Sequence, residues 1–502
     1  MRASVGALSA ACWSVCLGCG RSAGQAPASG PPGVDAAPAF DAAAAPEADD
    51  PSSLAPDADA APARSPLGVV ARGPASGAAG VCADTRLLLT LDGAVAVGAS
   101  GLVRIFDADA PVTPVDTIDV GAPYFNDTLG GRRFFTQRPV FVDGSDGVTV
   151  TIAPHAHALA PGRTYYVTID PGVLVDAAGR SVDVAGGPDD WRFTTRAAPA
   201  VGAALMVAGD GSGDFCTVQG AVDAVPPHAT MPTTITLAPG LYREIVFIAD
   251  KDRLTVRGVD RAGSVIAYAN NDTLQDKLGT KYRAVVEAEN VTDFTVENLT
   301  VHNLTPQGGS QAEALRVEPG DRVSLRDADF LSLQDTLLLT GRVYVTGATI
   351  EGNVDFIWGK GAAYIERSEI RTVVRPGYGV QARNPPGQYG YVFVDSKLTA
   401  TPGLTGHLLA RIDATPGTGY PASQVAYVDC QMGPHVDPRG WLVTPSGVDV
   451  SGIRFWEYHS TDATGAAVDV SKRDPASRQL SDAEAAALRD KATVLGGWEP
   501  AP

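Results

Sequence analysis

The amino-acid sequence predicts an all-β protein, and three observations support this fold class. Short runs rich in β-branched and aromatic residues recur from about residue 66 onwards, with Gly, Pro and Asp clusters between them. From about residue 203 the runs follow one another at roughly the interval of one solenoid coil, so that each coil buries its face against its neighbours. Helical periodicity is nearly absent until the last segment. The sequence therefore predicts a parallel β-helix preceded by a smaller β-domain.

The N-terminus predicts export. Residues 1–20 begin with Met1 and Arg2 and continue as a small, apolar run that ends in Leu17-Gly18-Cys19, which resembles a lipoprotein signal. We expect either a plain cleaved signal peptide or a lipid on Cys19 that attaches the chain to a membrane. The protein is thus expected to be secreted or anchored at the outer surface.

Residues 21–65 are dominated by Ala, Pro, Asp, Gly and Ser. Such a segment cannot bury enough apolar surface to offset the entropy of ordering it, so it is predicted to be a disordered linker.

Residues 66–197 have the pattern of a small β-sandwich, since their strand-like runs are short and divided by turn residues. These runs are Arg86–Leu91, Leu102–Phe106, Val148–Ile152, Tyr165–Ile169 and Trp191–Thr195. The stretch Leu159-Ala-Pro-Gly-Arg-Thr-Tyr-Tyr-Val-Thr-Ile, together with Trp191-Arg-Phe-Thr-Thr, resembles a bacterial Ig-like domain. We expect this domain to act as a spacer.

Residues 203–500 are predicted to form the β-helix and a helix that covers it. The predicted strands are Thr234–Leu237, Leu254–Val256, Ala284–Glu287, Phe294–Val296, Ala314–Val317, Val323–Leu325, Tyr344–Thr346, Ala363–Ile365 and Tyr391–Val394. Near the end, Ser481-Asp-Ala-Glu484 is a capping box that opens an Ala-rich helix.

Charge and cysteine content exclude several classes of function. The 39 basic and 57 acidic residues give a net charge of −18, which argues against nucleic acid as a partner. It also favours an esterified polyuronate over a bare one, because esterification removes the repelling charge. The six cysteines do not form a zinc-binding framework. We expect no metal, no cofactor and a monomer.

Three segments carry the residues of a candidate catalytic site. They are Gln311-Ala-Glu-Ala-Leu, Gln334-Asp335-Thr-Leu-Leu and Gly352-Asn-Val-Asp355-Phe-Ile-Trp-Gly. Gln311 and Gln334, and likewise Asp335 and Asp355, are separated by about one circuit of a β-helix. Equivalent positions of neighbouring coils stack about 4.8 Å apart. We therefore expect two amides and two carboxylates to meet on one outer face.

Two carboxylates placed side by side would determine the type of reaction that the site can catalyse. Two carboxylates this close cannot both ionise freely, so one pKa rises while the other stays low. An arginine beside one of them would decide which is which, and Arg411 is the candidate. The result is an ionised nucleophile beside a protonated acid, with amide donors for an oxyanion.

The same segments resemble the signature blocks of the pectin methylesterases, a family of aspartate carbohydrate esterases. Further matching blocks are Gly240-Leu-Tyr-Arg-Glu, Tyr378-Gly-Val-Gln-Ala-Arg, Arg439-Gly-Trp, Trp456-Glu-Tyr and Leu495-Gly-Gly-Trp-Glu-Pro. The resemblance implies a right-handed parallel β-helix that hydrolyses methyl esters of pectin. It also implies that Asp355 attacks the ester, that Asp335 acts as acid and base, and that Arg411 holds Asp355. Gln311 and Gln334 would bind the oxyanion.

Groove positions depart from the family pattern. Leu-Ala-Arg-Ile-Asp413 stands where the family has Leu-Gly-Arg-Pro-Trp, so one stacking tryptophan is missing. Phe356, Trp358 and Trp441 remain as the candidate substrate-binding residues. These departures predict that the protein still hydrolyses esters but that its preference among polymers is altered.

Three alternatives stay open. An esterase or thioesterase of the same mechanism could act on another ester. A polysaccharide lyase would need a cluster of calcium-binding carboxylates. A non-catalytic protein that binds cell-wall polysaccharide would use the same groove without chemistry.

Overall fold

The computed structural model describes residues 65–143, 147–184, 186–276, 282–412, 420–443 and 449–501. The proposed signal at 1–20, with Cys19, lies outside the described residues, as does the proposed linker up to residue 64. Residues 61–502 form one compact unit. Among the described residues, no helix combines the length and apolar character needed to cross a membrane.

The first part of this unit is a mostly antiparallel β-sandwich. Its strands are β1 (Val69–Gly73), β2 (Ala78–Val81), β3 (Leu87–Leu91), β4 (Val95–Val97), β5 (Leu102–Asp107), β6 (Asp116–Asp119), β7 (Phe125–Leu129), β8 (Arg133–Gln137), β9 (Val140–Asp143), β10 (Thr149–Ile152), β11 (Thr164–Ile169), β12 (Leu174–Asp176) and β13 (Arg192–Thr195). One sheet has the order β1-β3-β10-β9 and the other β2-β13-β11-β5-β6. All five predicted runs are strands of these sheets, and Trp191 and Phe193 lie buried in the core between them.

The second part is a parallel β-helix built from three long sheets, and each complete coil gives one strand to each sheet. The first sheet contains β14 (Ala204–Val207), β15 (Thr233–Leu237), β18 (Leu254–Gly258), β22 (Thr295–Glu297), β26 (Val323–Arg326), β29 (Arg342–Thr346), β32 (Ala362–Glu366), β35 (Tyr391–Val394), β38 (Gln424–Val428), β41 (Arg454–Tyr458) and β42 (Arg478–Gln479).

The second and third sheets complete each coil. The second sheet contains β16 (Gly240–Tyr242), β19 (Ser264–Tyr268), β23 (Thr300–Asn303), β27 (Asp329–Leu331), β30 (Thr349–Gly352), β33 (Glu369–Thr372), β36 (Lys397–Ala400) and β39 (Gln431–Met432). The third sheet contains β17 (Val246–Ala249), β20 (Val286–Glu289), β24 (Leu315–Val317), β28 (Leu337–Leu339), β31 (Val354–Gly359), β34 (Tyr378–Ala382), β37 (Leu408–Arg411) and β40 (Trp441–Leu442). A small pair, β21 (Val291–Thr292) and β25 (Gly320–Asp321), lies beside them. All nine predicted strands overlap strands of the first or third sheet.

Stacked apolar side chains form the interior of the β-helix. Leu325, Val345, Ile365 and Phe393 come from four successive strands of the first sheet and are fully buried, as is Ile235 nearer the start of the same row. Burial of one such side chain stabilises the fold by about 1.5–3 kcal/mol. The interior is therefore a continuous apolar column, and it fixes the register of the coils whose outer faces carry polar residues.

Left-handed residues make the corner between the first and second sheets. Asn298, Asp327, Arg367, Asp395 and Asp429 each follow a strand of the first sheet, and all have φ between 46° and 54°. Asn and Asp tolerate this conformation better than most residues because their short polar side chains bond locally. The recurrent corner explains why the coils turn without a glycine at each level.

Four helices are described. They are α1 (Val218–Ala224), α2 (Asp272–Gln275), α3 (Asp482–Arg489) and α4 (Lys491–Val494). The predicted capping box is present at α3, where the Ser481 side chain and Glu484 bond each other's backbone amides. Leu488 of α3 and Val494 of α4 pack with Tyr344 and Tyr364 on the outer face of the first sheet. The C-terminal helices thus cover the flank of the coils.

A disulfide joins the two parts of the unit. Cys82 follows β2 in the sandwich and is bonded to Cys216, just before α1, across a separation of 134 residues. A cross-link that closes so long a loop restricts the unfolded chain and typically stabilises a fold by about 2–4 kcal/mol. We therefore expect a reducing agent to lower the free energy of unfolding, measured in urea, by about that amount.

The control is a Cys82→Ser, Cys216→Ser double variant. It should have the reduced protein's stability and should not respond to reductant. Identical unfolding curves of the native chain with and without reductant would contradict this role.

Candidate active site

Two aspartates lie at equivalent positions of neighbouring coils in the third sheet. Gln334 is bridged to Val354, and Leu337 pairs with Ile357. The two coils therefore keep the same pairing register before and after the aspartates. That register places Asp335 beside Asp355. Both are nearly buried, with exposed fractions of 7% and 5%. The predicted stacking of the two carboxylates is therefore what the coil register produces.

The backbone aims both carboxylates in the same way. Asp335 has φ 67° and Asp355 has φ 48°, two left-handed residues in successive coils. The register to the next strand shifts between Val354 and Ile357, so Asp355 also lies in a β-bulge. Bulges and left-handed residues are over-represented at functional sites, where they redirect a side chain. Here both aspartates have such a backbone, and Asp335 lines the groove beside this edge.

Arg411 holds Asp355 in the predicted way. Its Nε and one terminal nitrogen donate to the two carboxylate oxygens, at 2.7 and 2.5 Å. The guanidinium also lies over the ring of Tyr378, 5.2 Å from its centre. A bidentate arginine–carboxylate pair fixes both charge and orientation. Asp355 is therefore held as an oriented carboxylate.

Asp335 has an arginine as well, but that arginine is shared. Arg283 donates to Asp335 at 2.9 Å, to both oxygens of Glu313 at 3.0 Å, and to Asp272 at 3.0 Å. Glu313 is fully buried. One guanidinium cannot neutralise three carboxylates, so Asp335 is the poorly compensated member of the pair.

The environment of Asp335 favours its protonated form. Burial raises the pKa of the Asp335 carboxyl well above its ordinary value, and the charges of Glu313 and Asp355 raise it further. Arg283 and Arg383 act in the opposite direction and do not cancel these effects. The arrangement has the asymmetry that acid–base chemistry needs, a protonated carboxyl next to an arginine-bound carboxylate.

Gln311 and Gln334 lie at the same edge, and both are half-buried. Gln311 lines the groove together with Asp335, and its side-chain oxygen accepts from the Ser310 hydroxyl at 3.1 Å. The backbone carbonyl of Gln334 accepts from the amide of Ala312, which links the two coils. The backbones that carry the two glutamines are thus joined at the coil edge where the aspartates stack.

A groove of about 490 Å³ opens beside Asp335. Trp358 forms part of its wall, with the guanidinium of Arg383 4.6 Å and that of Arg283 5.6 Å from the ring centre. Arg316 and Lys360 add further positive charge to the lining, against Glu313 and Glu318. The groove is therefore locally basic although the chain carries −18 overall. The charge of this lining thus differs in sign from the net charge of the chain.

Two of the three expected substrate-binding aromatics are wrong. Phe356 is fully buried in the apolar interior, where it belongs to the same core cluster as its neighbour Ile357. Trp441 is 1% exposed, stacks on Phe455 at 4.8 Å and donates its indole N–H to Glu457 at 3.2 Å. Both are packing residues. Trp358 alone of the three reaches the groove.

Histidine does not supply the chemistry of this region. His407 packs against Phe356 and His435 in the interior, with ring centres 5.9 and 5.8 Å away. Burial lowers the pKa of His407 to about 3. Its Nδ1 accepts the amide hydrogen of Gly377 at 3.2 Å. A neutral, bonded, buried imidazole of this kind is a structural group.

Sequence reasoning missed Arg283 and Glu313. A signal existed for Glu313, since the pairing of Leu315 with Leu337 gives a register that also aligns Glu313 with Asp335. No such signal existed for Arg283. It lies just before β20, after a coil long enough to contain α2, so regular spacing could not connect it to Asp335.

The fold and the site together define a parallel β-helix protein with stacked carboxylates on the outer face of one sheet. Comparison with known proteins agrees with this class. The family model described as pectinesterase matches residues 204–491, and the model of a bacterial Ig-like domain matches residues 63–195. The chain therefore belongs to the pectinesterase family, whose members are carboxylic ester hydrolases.

Individual relatives show the same likeness. Pectinesterase 31 of Arabidopsis thaliana is 32% identical over 295 residues, which cover 56% of this chain and 89% of that protein. Pectinesterase 2 of Olea europaea is 30% identical over 294 residues, covering 56% and 75%.

Solved structures agree as well. The pectin methylesterase from carrot superimposes with a TM-score of 0.51 at 26% identity, covering 60% of this chain and 95% of that one. The pectin methylesterase PemA from Erwinia chrysanthemi gives 0.50 at 25% identity, covering 61% and 99%.

Proposed function

We propose that this chain is a pectin methylesterase, which hydrolyses the methyl esters of polygalacturonate and releases methanol through an acyl-enzyme on Asp355. One observation carries the proposal: Asp335 and Asp355 stack in adjacent coils, yet Arg411 binds both oxygens of Asp355 whereas Arg283 divides its donors among Asp335 and two other carboxylates. Membership of the pectinesterase family supports the reaction class, and the residue roles follow from the site.

In the first half of the reaction, an oxygen of Asp355 attacks the C6 carbonyl carbon of the ester. The carbonyl π pair moves to oxygen, where the amides of Gln311 and Gln334 donate hydrogen bonds to the oxyanion. When the oxyanion collapses, the C–OCH3 bond breaks and Asp335 gives its proton to the leaving oxygen. Methanol departs, and a mixed anhydride joins Asp355 to the sugar.

In the second half, Asp335 is the base. It takes a proton from a water molecule as the water oxygen attacks the anhydride at the sugar carbonyl. The bond to Asp355 breaks and its carboxylate returns to Arg411, while the product leaves as a carboxylic acid that gives its remaining proton to solvent. Asp335 ends protonated, so the cycle closes without any other reactant.

The groove supports a polyuronate as the substrate. Trp358 offers an indole face at the wall, and Lys360, Arg316 and Arg383 supply positive charge along the lining. Aromatic faces stack on sugar rings, and cations pair with the free carboxylates that a partly esterified polymer carries. An apolar acyl ester would make neither the stacking contacts nor the charge pairs that this lining offers.

A substrate panel tests this proposal against its alternatives. We expect methanol release from methyl-esterified pectin to exceed the hydrolysis of short acyl esters and thioesters by at least about 100-fold in kcat/KM, because only the polymer fills the groove. The absorbance of an unsaturated product would identify a lyase instead. Faster cleavage of the acyl esters would assign the site to another ester.

The pH profile should report Asp335. Acylation requires a protonated Asp335, so activity should fall as pH rises through its raised pKa. Glu313→Gln removes a charge that raises this pKa, and it leaves Arg283 more available to Asp335. We therefore expect the alkaline limb of kcat/KM to move to lower pH in this variant.

Glu318→Gln is the matched control for this shift. It makes the same charge change in the same groove, at a residue that pairs with Arg316. Its alkaline limb should stay in place. Equal displacement by both variants, or none by Glu313→Gln, would contradict the assignment of Asp335 as the acid.

We further propose that the chain is exported, through the apolar N-terminal segment, and anchored by a lipid on Cys19. The basis is the Leu-Gly-Cys sequence and a substrate that lies outside the cytoplasm. Labelling of cells with a fatty-acid analogue should mark the native chain and leave a Cys19→Ser variant unmarked. We also expect the folded part to act as a monomer.

A further inference from the structure

One hairpin of the Ig-like part of the chain packs against the β-helix. The hairpin consists of β7 and β8, and it stands apart from both sheets of the sandwich. Phe135 of β8 is fully buried, and its ring centre lies 5.7 Å from that of Phe247 and 5.8 Å from that of Tyr282. Phe247 is in register with Glu287 and with the groove residue Arg316, so the hairpin packs on the outer face of the third sheet, which is more contact than a spacer requires.

Beside Phe135, a chain of buried amides leads toward the active site. The backbone N–H of Thr136 donates to the side-chain oxygen of Gln275, whose amide nitrogen donates back to the Thr136 carbonyl, both at 3.0 Å. Gln275 also donates to Asn270 at 2.7 Å. Asn270 in turn donates to the carbonyls of Tyr282 at 3.2 Å and Ala284 at 2.7 Å. Gln275 and Asn270 are both fully buried.

The two carbonyls at the end of this chain flank Arg283. A second contact holds the same segment from outside, because Arg133 of the hairpin lies over the Tyr282 ring at 4.9 Å and donates to Glu289 at 3.0 Å. The Tyr282 hydroxyl donates to that same Glu289 at 2.6 Å. The hairpin thus constrains both the backbone and the side chain next to Arg283.

We infer that the β7–β8 hairpin is a positioning element for the active site: through Gln275 and Asn270 it fixes the backbone at Arg283, and Arg283 fixes Asp335. The inference rests on the proposed function, since it assumes that Asp335 transfers the proton. It gives the Ig-like domain a role in turnover, one that an isolated β-helix would lack. Gln275, Asn270 and Arg283 are positioning residues and do not contact substrate.

The physical reason is geometric. Arg283 distributes its donors among Asp272, Glu313 and Asp335, so a small rotation changes which carboxylate it serves. A misplacement of about 1 Å in a catalytic arrangement can cost about 100-fold in rate. Asn270 bonds both carbonyls that flank Arg283 and is itself held by Gln275, which opposes such a rotation.

Gln275→Leu is the direct test, because leucine fills a similar space and removes the three side-chain bonds by which Gln275 connects Thr136 to Asn270. We expect kcat for methanol release to fall about tenfold with KM changed less than twofold. The alkaline limb of the pH profile should move to higher pH. Of the charges that face Asp335, Arg283 would be weakened, whereas Glu313, Asp355 and Arg383 would remain.

Phe193→Leu is the control for a merely structural effect. Phe193 is buried in the sandwich core and belongs to no part of the amide chain. At a comparable loss of Tm, this variant should keep the native kcat within twofold and the native pH profile. If it loses as much activity as Gln275→Leu, or if Gln275→Leu keeps the native kcat and pH profile, the positioning role is wrong.

A surface variant covers the case in which Gln275→Leu does not fold. Arg133→Ala removes the contact with Glu289 and the Tyr282 ring, and it should lower kcat about threefold with the same shift of the alkaline limb. Arg163→Ala is matched to it, since Arg163 has a similarly exposed side chain and pairs with Asp107 inside the sandwich. Equal kcat and pH profiles in these two variants would also overturn the inference.

These experiments distinguish failure of the hairpin inference from failure of the proposed function. If the native chain releases no methanol from esterified pectin, the function itself is wrong. If the native chain is active and Asp335→Asn is inactive, while Gln275→Leu and Arg133→Ala behave like their controls, only the role of the hairpin is wrong.

Discussion

Asp355→Asn is expected to lower kcat for methanol release by about four orders of magnitude or more, the loss seen when a covalent nucleophile is removed. An amide in this place cannot form the anhydride and cannot be regenerated as a carboxylate. Asparagine also tolerates the left-handed backbone of Asp355 at φ 48°, so the fold should be retained. The experiment compares kcat with the Tm of the same preparation.

The matched control is Asp395→Asn. Asp395 has the same φ of 48° and is exposed at the corner between the first and second sheets, whereas the aspartate pair lies at the third sheet. It should keep native turnover. If Asp355→Asn remains active with native turnover, the assignment of the nucleophile is wrong.

Asp335→Asn should have the second-largest effect, a fall in kcat of about 10²- to 10⁴-fold. Asn keeps the shape of the side chain and a hydrogen bond, but it can neither protonate the leaving methanol nor activate water. The loss should therefore appear in both halves of the reaction. Rapid-quench measurement of the first methanol released, followed by steady-state turnover, separates the two halves.

Leaving-group dependence offers a sharper check on Asp335. An ester whose leaving alcohol is a much stronger acid than methanol needs little protonation, so it should recover part of the lost acylation rate in Asp335→Asn. It should recover none in Asp355→Asn. Equal defects of Asp335→Asn toward both esters would contradict its role as the general acid.

The aspartate pair could be predicted because two consecutive coils are regular. The strands around Asp335 and Asp355 keep one register, as Leu337 with Ile357 shows, so spacing in sequence translated into stacking in space. The spacing that stacks the two aspartates did not place Arg411 in the same way. Its coil is longer, and its side chain reaches Asp355 across a bulge that the sequence does not reveal.

What the sequence did not reveal lies where coils are irregular or where two domains meet. Phe356 was expected at the groove, but its side chain and that of Ile357 both lie in the apolar core, at the point where the register shifts. The hairpin at Phe125–Leu129 and Arg133–Gln137 was not predicted, since its partners are residues more than a hundred positions away. The disulfide between Cys82 and Cys216 was not predicted either, because the two cysteines are 134 residues apart in the sequence.

The Asp413 end of the Arg411 block lies outside the described residues. The expectation that its missing tryptophan alters polymer preference therefore stays a prediction. Trp358, with Arg383 and Arg283 beside it, is the aromatic surface that the described groove offers in its place.

The most direct test of the account is release of methanol from methyl-esterified pectin by the purified chain in the presence of a metal chelator. Stacked aspartates with arginine and amide partners need nothing else, so methanol and new carboxylates should appear in equal amounts at an undiminished rate. Absence of methanol, or a rate that collapses with chelator and returns with added metal, would contradict it.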